Sequence, residues 1–374
     1  MSGLRIALYS HDTMGLGHIR RNLLIANTLS TLTPSPSILL ISGTPESLRL
    51  NRPHGSDIMV LPGYRKDQYG GYHSRSLGVD KERLAAIRGG AISSALRAFA
   101  PDVLIVDKVP TGACNELMHT LQLLRDSGKT RLILGLRDIL DDPTTTEAEW
   151  EKGGYEQAIA TFYDDIWIYG DPAVFDMRRE YSFSRQLRER AKYLGYLARP
   201  SNSRGKPKDQ ILCLVGGGQD GFTLANAFAN TEFENGKKKV LVTGPYMPDE
   251  QAEELNALAR VRPNLTVRKF VNVSPLMAAS EAVISMGGYN TVCELLANNK
   301  PTLIVPRVQP RLEQAIRAER LSRINAVSCL FPDAINESQF VEFARDALTP
   351  RESAQVDLGG CATLLGEVKE MFAC

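Results

Sequence analysis

No Cys-x-x-Cys pair and no Asp-x-Asp triplet occurs in the 374 residues. The six cysteines (Cys114, Cys213, Cys293, Cys329, Cys361 and Cys374) are scattered, which reads as reduced thiols serving mostly as small buried apolar side chains. Holding a hard divalent cation takes clustered carboxylates, and the adjacent pairs Asp141-Asp142 and Asp164-Asp165 do not supply them. No metal site is therefore expected. Apolar runs approaching the roughly 20 residues of a membrane span are missing. The start, MSGLRIALYS, enters a strand directly and lacks the basic-then-apolar layout of a secretory leader, so a cytoplasmic protein is expected. Excess charge of one sign is also absent. With 44 Lys and Arg against 43 Asp and Glu, the net charge of +1 argues against a chain built around nucleic acid. No internal repeat of 20–50 residues points to a solenoid or propeller.

What is present is an average soluble composition, 43% hydrophobic and 23% charged, on a chain too long for one ordinary core. Short apolar runs alternate with helical periods, and glycines fall at the strand ends. This pattern predicts a doubly wound α/β protein in two Rossmann-like domains. In the first half, strands are expected at Leu4–Tyr9, Ile38–Ile41, Ile58–Leu61, Pro101–Asp107, Leu132–Leu136, Asp165–Tyr169 and Tyr193–Tyr196. Helices are expected at Ile19–Leu32, Leu84–Phe99 and Trp150–Phe162. Pro62–Val79, with Tyr64, Tyr69, Tyr72 and His73, shows neither period and reads as a surface loop. The polar, basic stretch Ala198–Asp209 is the best linker. It divides a domain at 1–198 from one at 199–357, and a final helix near 358–374 is expected to return to the first.

The most informative stretch runs from Ala282 to Arg317. A buried strand, Ala282–Ser285, meets Gly287 and Gly288, then a helix, Tyr289–Ala297, then a second strand, Thr302–Val305, closed by Pro306. Paired glycines admit a ligand close to the backbone, and the first free amides of the helix face it as anion donors. Asn290 and Thr291 add side-chain donors. Glu294, about one turn on, suits the hydroxyls of a sugar attached to the anion.

The series Met286-Gly-Gly-Tyr-Asn-Thr-x-x-Glu294, then Lys300-Pro301, Val305-Pro306 and Glu313-Gln314, resembles the donor-site signature of nucleotide-sugar glycosyltransferases of the GT-B fold, two Rossmann-like domains facing a cleft. The nearest group is family 28, that of the peptidoglycan N-acetylglucosaminyltransferases. The resemblance implies that Gly287, Gly288, Asn290 and Thr291 bind diphosphate and that Glu294 takes the ribose hydroxyls. It implies too that Glu313 and Gln314 hold the transferred sugar, and that Phe270 and Val271 lie by the base. Plant-type relatives carry histidine where this chain has Met286. A second glycine turn, Gly216-Gly217-Gly218-Gln219, follows the strand Gln210–Val215, and by the same resemblance Gly217, Gly218 and Gln219 face the sugar and diphosphate. The helix after Gln314 is expected to run to Arg323, with Arg317 and Arg320 on its solvent face.

In the first half, Gly15-Leu16-Gly17-His18 follows the opening strand. Arg20 stands where a dinucleotide fingerprint wants its third glycine, which weakens that reading. The resemblance makes this the acceptor-domain loop, with Gly15 and Gly17 beside the acceptor. Strand carboxyl ends line the ligand crevice of an open parallel sheet, which brings His18 and Asp107 to one edge. A His held by Asp can act as a general base, as in the His-Asp dyad of plant-type inverting glycosyltransferases. Open alternatives are that Asp107 caps a helix beginning near Gly112, that His18 only binds phosphate or sugar, and that His11 is the base. Tyr72 and Arg137 are candidate acceptor contacts, Arg137 with Asp138 as its other partner.

These features predict inverting, metal-independent transfer from a nucleotide-diphosphate sugar to an acceptor hydroxyl. By resemblance the donor is a UDP-sugar, UDP-N-acetylglucosamine among the candidates, used as co-substrate with no resident cofactor. The acceptor (glycan, lipid-linked or small metabolite) and a peripheral membrane contact stay open. Two other readings remain: a nucleotide-sugar hydrolase or epimerase, and a nonenzymatic nucleotide-sugar sensor.

Overall fold

A computed structural model describes residues 3–13, 15–67, 71–199, 209–347 and 355–372. Most of the expected linker, at 200–208, lies outside the described residues, as do Tyr69 and Gly70. The chain forms two compact units. One comprises Met1–Asp171, Asp176–Leu197 and Gly359–Cys374; the other comprises Pro172–Phe175 and Ala198–Leu358. No helix among the described residues is long and apolar enough to cross a membrane.

The first unit is built on seven parallel strands: β1 (Arg5–Ser10), β2 (Ser37–Ser42), β3 (Ser56–Val60), β6 (Val103–Asp107), β7 (Arg131–Arg137), β8 (Asp165–Tyr169) and β9 (Ala191–Tyr193). Between β3 and β6 lie two short strands, β4 (Tyr64–Lys66) and β5 (Tyr72–Ser74), paired antiparallel. The sheet order is β3-β2-β1-β6-β7-β8-β9. Its central strands are largely apolar, as burial on both faces requires, and all five residues of β6 are buried. Order reverses between β1 and β6, which pair in register from Ile6 with Val103 to Tyr9 with Val106. The Gly360–Phe372 helix lies beside the Gly17–Leu29 helix, and Lys192 pairs with Glu367 on it.

The second unit repeats the plan with β10 (Gln210–Leu214), β11 (Lys238–Val242), β12 (Leu265–Arg268), β13 (Ala282–Ser285), β14 (Thr302–Ile304) and β15 (Ser328–Cys329). All are parallel, in the order β12-β11-β10-β13-β14-β15, so the reversal falls between β10 and β13. One core packs Cys213, Phe228, Leu241, Ile284 and Phe340 together, and a smaller one gathers Leu212, Val283 and Leu295.

Several expectations are corrected. The 62–79 segment is not wholly an irregular loop, since Tyr64–Lys66 pairs with Tyr72–Ser74 within it: Tyr64 is buried and its hydroxyl donates to Glu116 Oε2 at 3.2 Å, fixing a strand too short to show a period. The Trp150–Phe162 helix is two helices, Pro143–Gly153 and Tyr155–Phe162, divided where Gly154 takes φ +59°. β12 stops at Arg268, so Phe270 and Val271 lie beyond it. The last strand of the first unit ends at Tyr193, where Tyr193–Tyr196 was expected.

Candidate active site

Both units place chemistry at the point where strand order reverses, which is where an open α/β sheet leaves a crevice at its strand carboxyl ends. In the first unit this position is held by the turn after β1 and by the last residue of β6. The helix Gly17–Leu29 starts without a side chain capping from Leu16. Asp12, three residues earlier than Gly15, substitutes: its Oδ1 accepts from the amide of Ile19 at 3.0 Å. Asp12 Oδ2 accepts from Ser10 Oγ at 2.5 Å and Ser42 Oγ at 2.7 Å, which locks the turn to the ends of β1 and β2.

From that helix start, His18 Nδ1 meets Asp107 Oδ2 at 2.5 Å. Arg21, one turn on, donates to the same carboxylate from Nε (2.9 Å to Oδ1) and Nη2 (2.7 Å to each oxygen). The side chains of Arg21 and Asp107 are each 2% exposed, and that of His18 is 17% exposed. Burial pushes the Asp107 carboxyl up, but the charges and hydrogen bonds of Arg21 and His18 outweigh it and hold the group well below the usual carboxylate range. For His18, burial lowers the pKa, Asp107 raises it, Arg21 lowers it again, and the balance falls below the ordinary histidine value. The imidazole is thus neutral near pH 7, and no described residue makes a hydrogen bond to its Nε2. The turn Ala113–Asn115 has no side-chain cap, so Asp107 does not act as a cap there. The His11 ring lies 4.7 Å from that of His18.

The other first-unit candidates divide. A Cβ added at Gly15 or Gly17 would meet nothing within 4 Å, so both border open space, and Gly15 holds φ +73°. Tyr72 sits on the hairpin, its ring edge-on to Tyr64 at 5.4 Å, and burial raises its hydroxyl to about 12. The hairpin is anchored through Glu116, which accepts from Tyr9, Tyr64 and Arg88, while Arg88 Nη1 also donates to the Pro62 carbonyl at 2.6 Å. Arg137 ends β7, and its Nη2 reaches the Leu140 carbonyl at 3.5 Å.

In the second unit, β10 and β13 each end in a glycine turn. Gly218 takes φ +94°, and a Cβ there would lie 2.2 Å from the carbonyl oxygen of Thr243, so no other residue fits. Gly217 and Gln219 are exposed. After β13, Met286 and Gly287 are buried, and Gly288 caps the helix Tyr289–Asn298. No side chain caps that helix, and a Cβ on Gly288 would enter open space. Asn290, Thr291 and Glu294 are half-buried on its first turns. Phe270 and Val271 are 55% and 36% exposed.

Glu313 and Gln314 open the helix Glu313–Arg323 and are nearly covered. Glu313 takes Arg317 Nη1 at 2.9 Å and Arg307 Nη2 at 3.5 Å, and Gln314 Oε1 accepts from the Arg307 amide at 3.2 Å. Arg317 is not on the solvent face, as its sequence position suggested, but fully buried. Sequence reasoning also missed Arg21. The signal for each was spacing, Arg21 three residues after His18 and Arg317 four after Glu313 on one helix face.

Residues 211–357 match the glycosyltransferase family 28 C-terminal domain. Among solved structures, a UDP-glucosyltransferase from Polygonum tinctorium capable of glucosylating indoxyl aligns with a TM-score of 0.63 at 13% identity, covering 100% of both chains. The glycosyltransferase VinC, in complex with DTDP, aligns at 0.61 and 13%, covering 99% of each. MurG from Acinetobacter baumannii aligns at 0.56 and 13%, covering 97% of this chain and 95% of its own. No curated protein sequence matches the chain significantly.

Proposed function

We infer that this chain, a GT-B glycosyltransferase of the family 28 type, moves a sugar from a nucleoside diphosphate donor to an acceptor hydroxyl with inversion and without a metal ion. The observation that carries the reading is His18 seated on Asp107 at the strand reversal, with Nε2 left for a substrate proton. Asp107 fixes the tautomer and offsets the charge that develops on the imidazole. The acceptor oxygen gives its proton to Nε2 and bonds to the anomeric carbon. The bond from that carbon to the diphosphate oxygen breaks, and the nucleoside diphosphate leaves. Its charge is met by amides at Gly288 and Tyr289 and at Gly217, fixed dipoles that need no reorganisation during the step, while Gly218, whose amide donates to the Val215 carbonyl at 3.1 Å, shapes the turn. Glu294 takes the ribose hydroxyls, and exposed Phe270 and Val271 receive the base. Arg137 and Tyr72 line the acceptor side.

The favoured donor is a UDP-sugar. One similar protein is a UDP-glucosyltransferase and another was solved with DTDP, so the nucleotide is to be read directly. Thermal shift against UDP, TDP and GDP sugars does so, since a ligand of the native state raises its midpoint. Glu294→Ala should weaken nucleotide binding about tenfold or more, the scale of a hydrogen bond to a charged group. His18→Ala should bind nucleotide normally and lose turnover. Equal loss of binding in both variants removes His18 from its role, and a requirement for magnesium refutes the amide-only diphosphate site.

A further inference from the structure

We propose that Arg21 is a positioning residue that holds His18 as the neutral Nδ1–H tautomer, so that Nε2 stays the proton acceptor. Three contacts carry this. Arg21 Nη2 lies 2.7 Å from both carboxylate oxygens of Asp107, and Nε lies 2.9 Å from one of them. These bonds use the Nε proton and one Nη2 proton, the latter shared between the two oxygens, because the N–H bonds of Nη2 diverge too widely for both to reach one carboxylate. The same Nη2 stands 3.1 Å from His18 Nδ1. Asp107, gripped by that cation, is a carboxylate and can only accept, so the proton between it and His18, at 2.5 Å, belongs to Nδ1. The third contact is a cation set against an imidazole, which disfavours a second proton on the ring.

An Asp alone would do the opposite. A carboxylate on a histidine raises its proton affinity, and a buried pair would drift toward imidazolium, which is no base. Arg21 neutralises Asp107 while leaving its geometry intact. The other charged and titratable groups around the ring are few. Asp12 and His11 face it from the turn after β1, and Tyr169 on β8 acts on Asp107 and Arg21. Only Asp12 favours the charged ring, and burial works against its own ionisation.

The inference deepens the reading of His18 as the base, yet its test needs no substrate. In protein carrying 15N-histidine, two-bond proton–nitrogen spectra report which ring nitrogen holds the proton, and His18→Gln assigns the signal. The wild type should show Nδ1–H and a bare Nε2 from about pH 8 down past the ordinary histidine value near 6.5. Arg21→Gln keeps a donor toward Asp107 but drops the charge, and should raise the proton affinity of His18 about tenfold or more. Arg21→Lys restores the charge and should bring it back toward wild type. A merely structural role would perturb both variants alike. A wild-type His18 that is Nε2–H, or charged near pH 7, overturns the proposal without any variant, as does an unchanged affinity in Arg21→Gln. Loss of turnover with correct spectra would instead fault the catalytic reading.

Discussion

Arg317 Nη1 donates to the carbonyl oxygen of Gly287 at 2.9 Å, from a helix that begins 26 residues later in the chain at Glu313. The same nitrogen donates to Glu313 Oε2 at 2.9 Å, so one buried guanidinium ties the glycine turn after β13 to the start of the next helix. The turn's outward amides are aimed partly because its inward carbonyl is held. Arg317→Met should cost about 3–5 kcal/mol, because it leaves Glu313 buried without its main partner. Urea unfolding reads that loss, and calorimetry should show weaker nucleotide binding although Arg317 itself is fully covered. Unchanged affinity in a folded variant would separate the prop from the site.

Asp107→Asn tests the opposite unit. An amide can present its N–H to His18 and trap the wrong tautomer, so turnover should fall on the order of a thousandfold or more. Nucleotide binding, proposed for the second unit, should be unchanged by thermal shift. A variant that retains most of its turnover would move the base elsewhere, with His11 next in line.

Much of this layout is written locally. The runs Val103–Val106 and Ile211–Leu214 are apolar throughout because both sheet faces are covered, and Gly218 in the turn after β10 is required because the Thr243 carbonyl occupies the space a Cβ would need. What was not legible depends on partners far along the chain. Arg21 reads as a solvated cation until Asp107, 86 residues on, is known to lie beneath it. Tyr64 reads as loop until Glu116, 52 residues on, takes its hydroxyl. Buried charges have no periodic signature, since only the partner makes their burial tolerable.

Gly135 and Tyr169 supply a third test. A Cβ on Gly135 would lie 2.3 Å from the Tyr169 hydroxyl oxygen, itself buried and without a hydrogen-bond partner among the described residues. Gly135→Ala should therefore destabilise by about 1–3 kcal/mol through overpacking beside Asp107, its register partner on β6. Tyr169→Phe removes an unsatisfied hydroxyl and should be neutral or stabilising by about 1 kcal/mol. The double variant should lose less than the two changes summed, because the clash is shared. Denaturant midpoints for the four proteins decide it.

The lowered His18 pKa also fixes a sign for stability. Below the unfolded value, near 6.5, the unfolded chain takes up a proton that the folded protein refuses. The contribution of His18 is therefore fully present above that pH and is lost as pH falls toward the folded value. Asp107, also lowered, is lost only on further acidification below the ordinary carboxylate range. Asp12 runs the other way: burial raises its carboxyl, so its contribution is present in acid and fades as pH rises. His18→Gln deletes the first effect and leaves Asp12 in place. Between about pH 7.5 and pH 5.5, which spans the ordinary histidine pKa, the wild type should lose more stability than the variant. Turnover should persist below 6.5, since the base stays neutral there. An identical decline in both proteins would mean that the folded site protonates His18 as readily as water does, and that burial and Arg21 do not tune it.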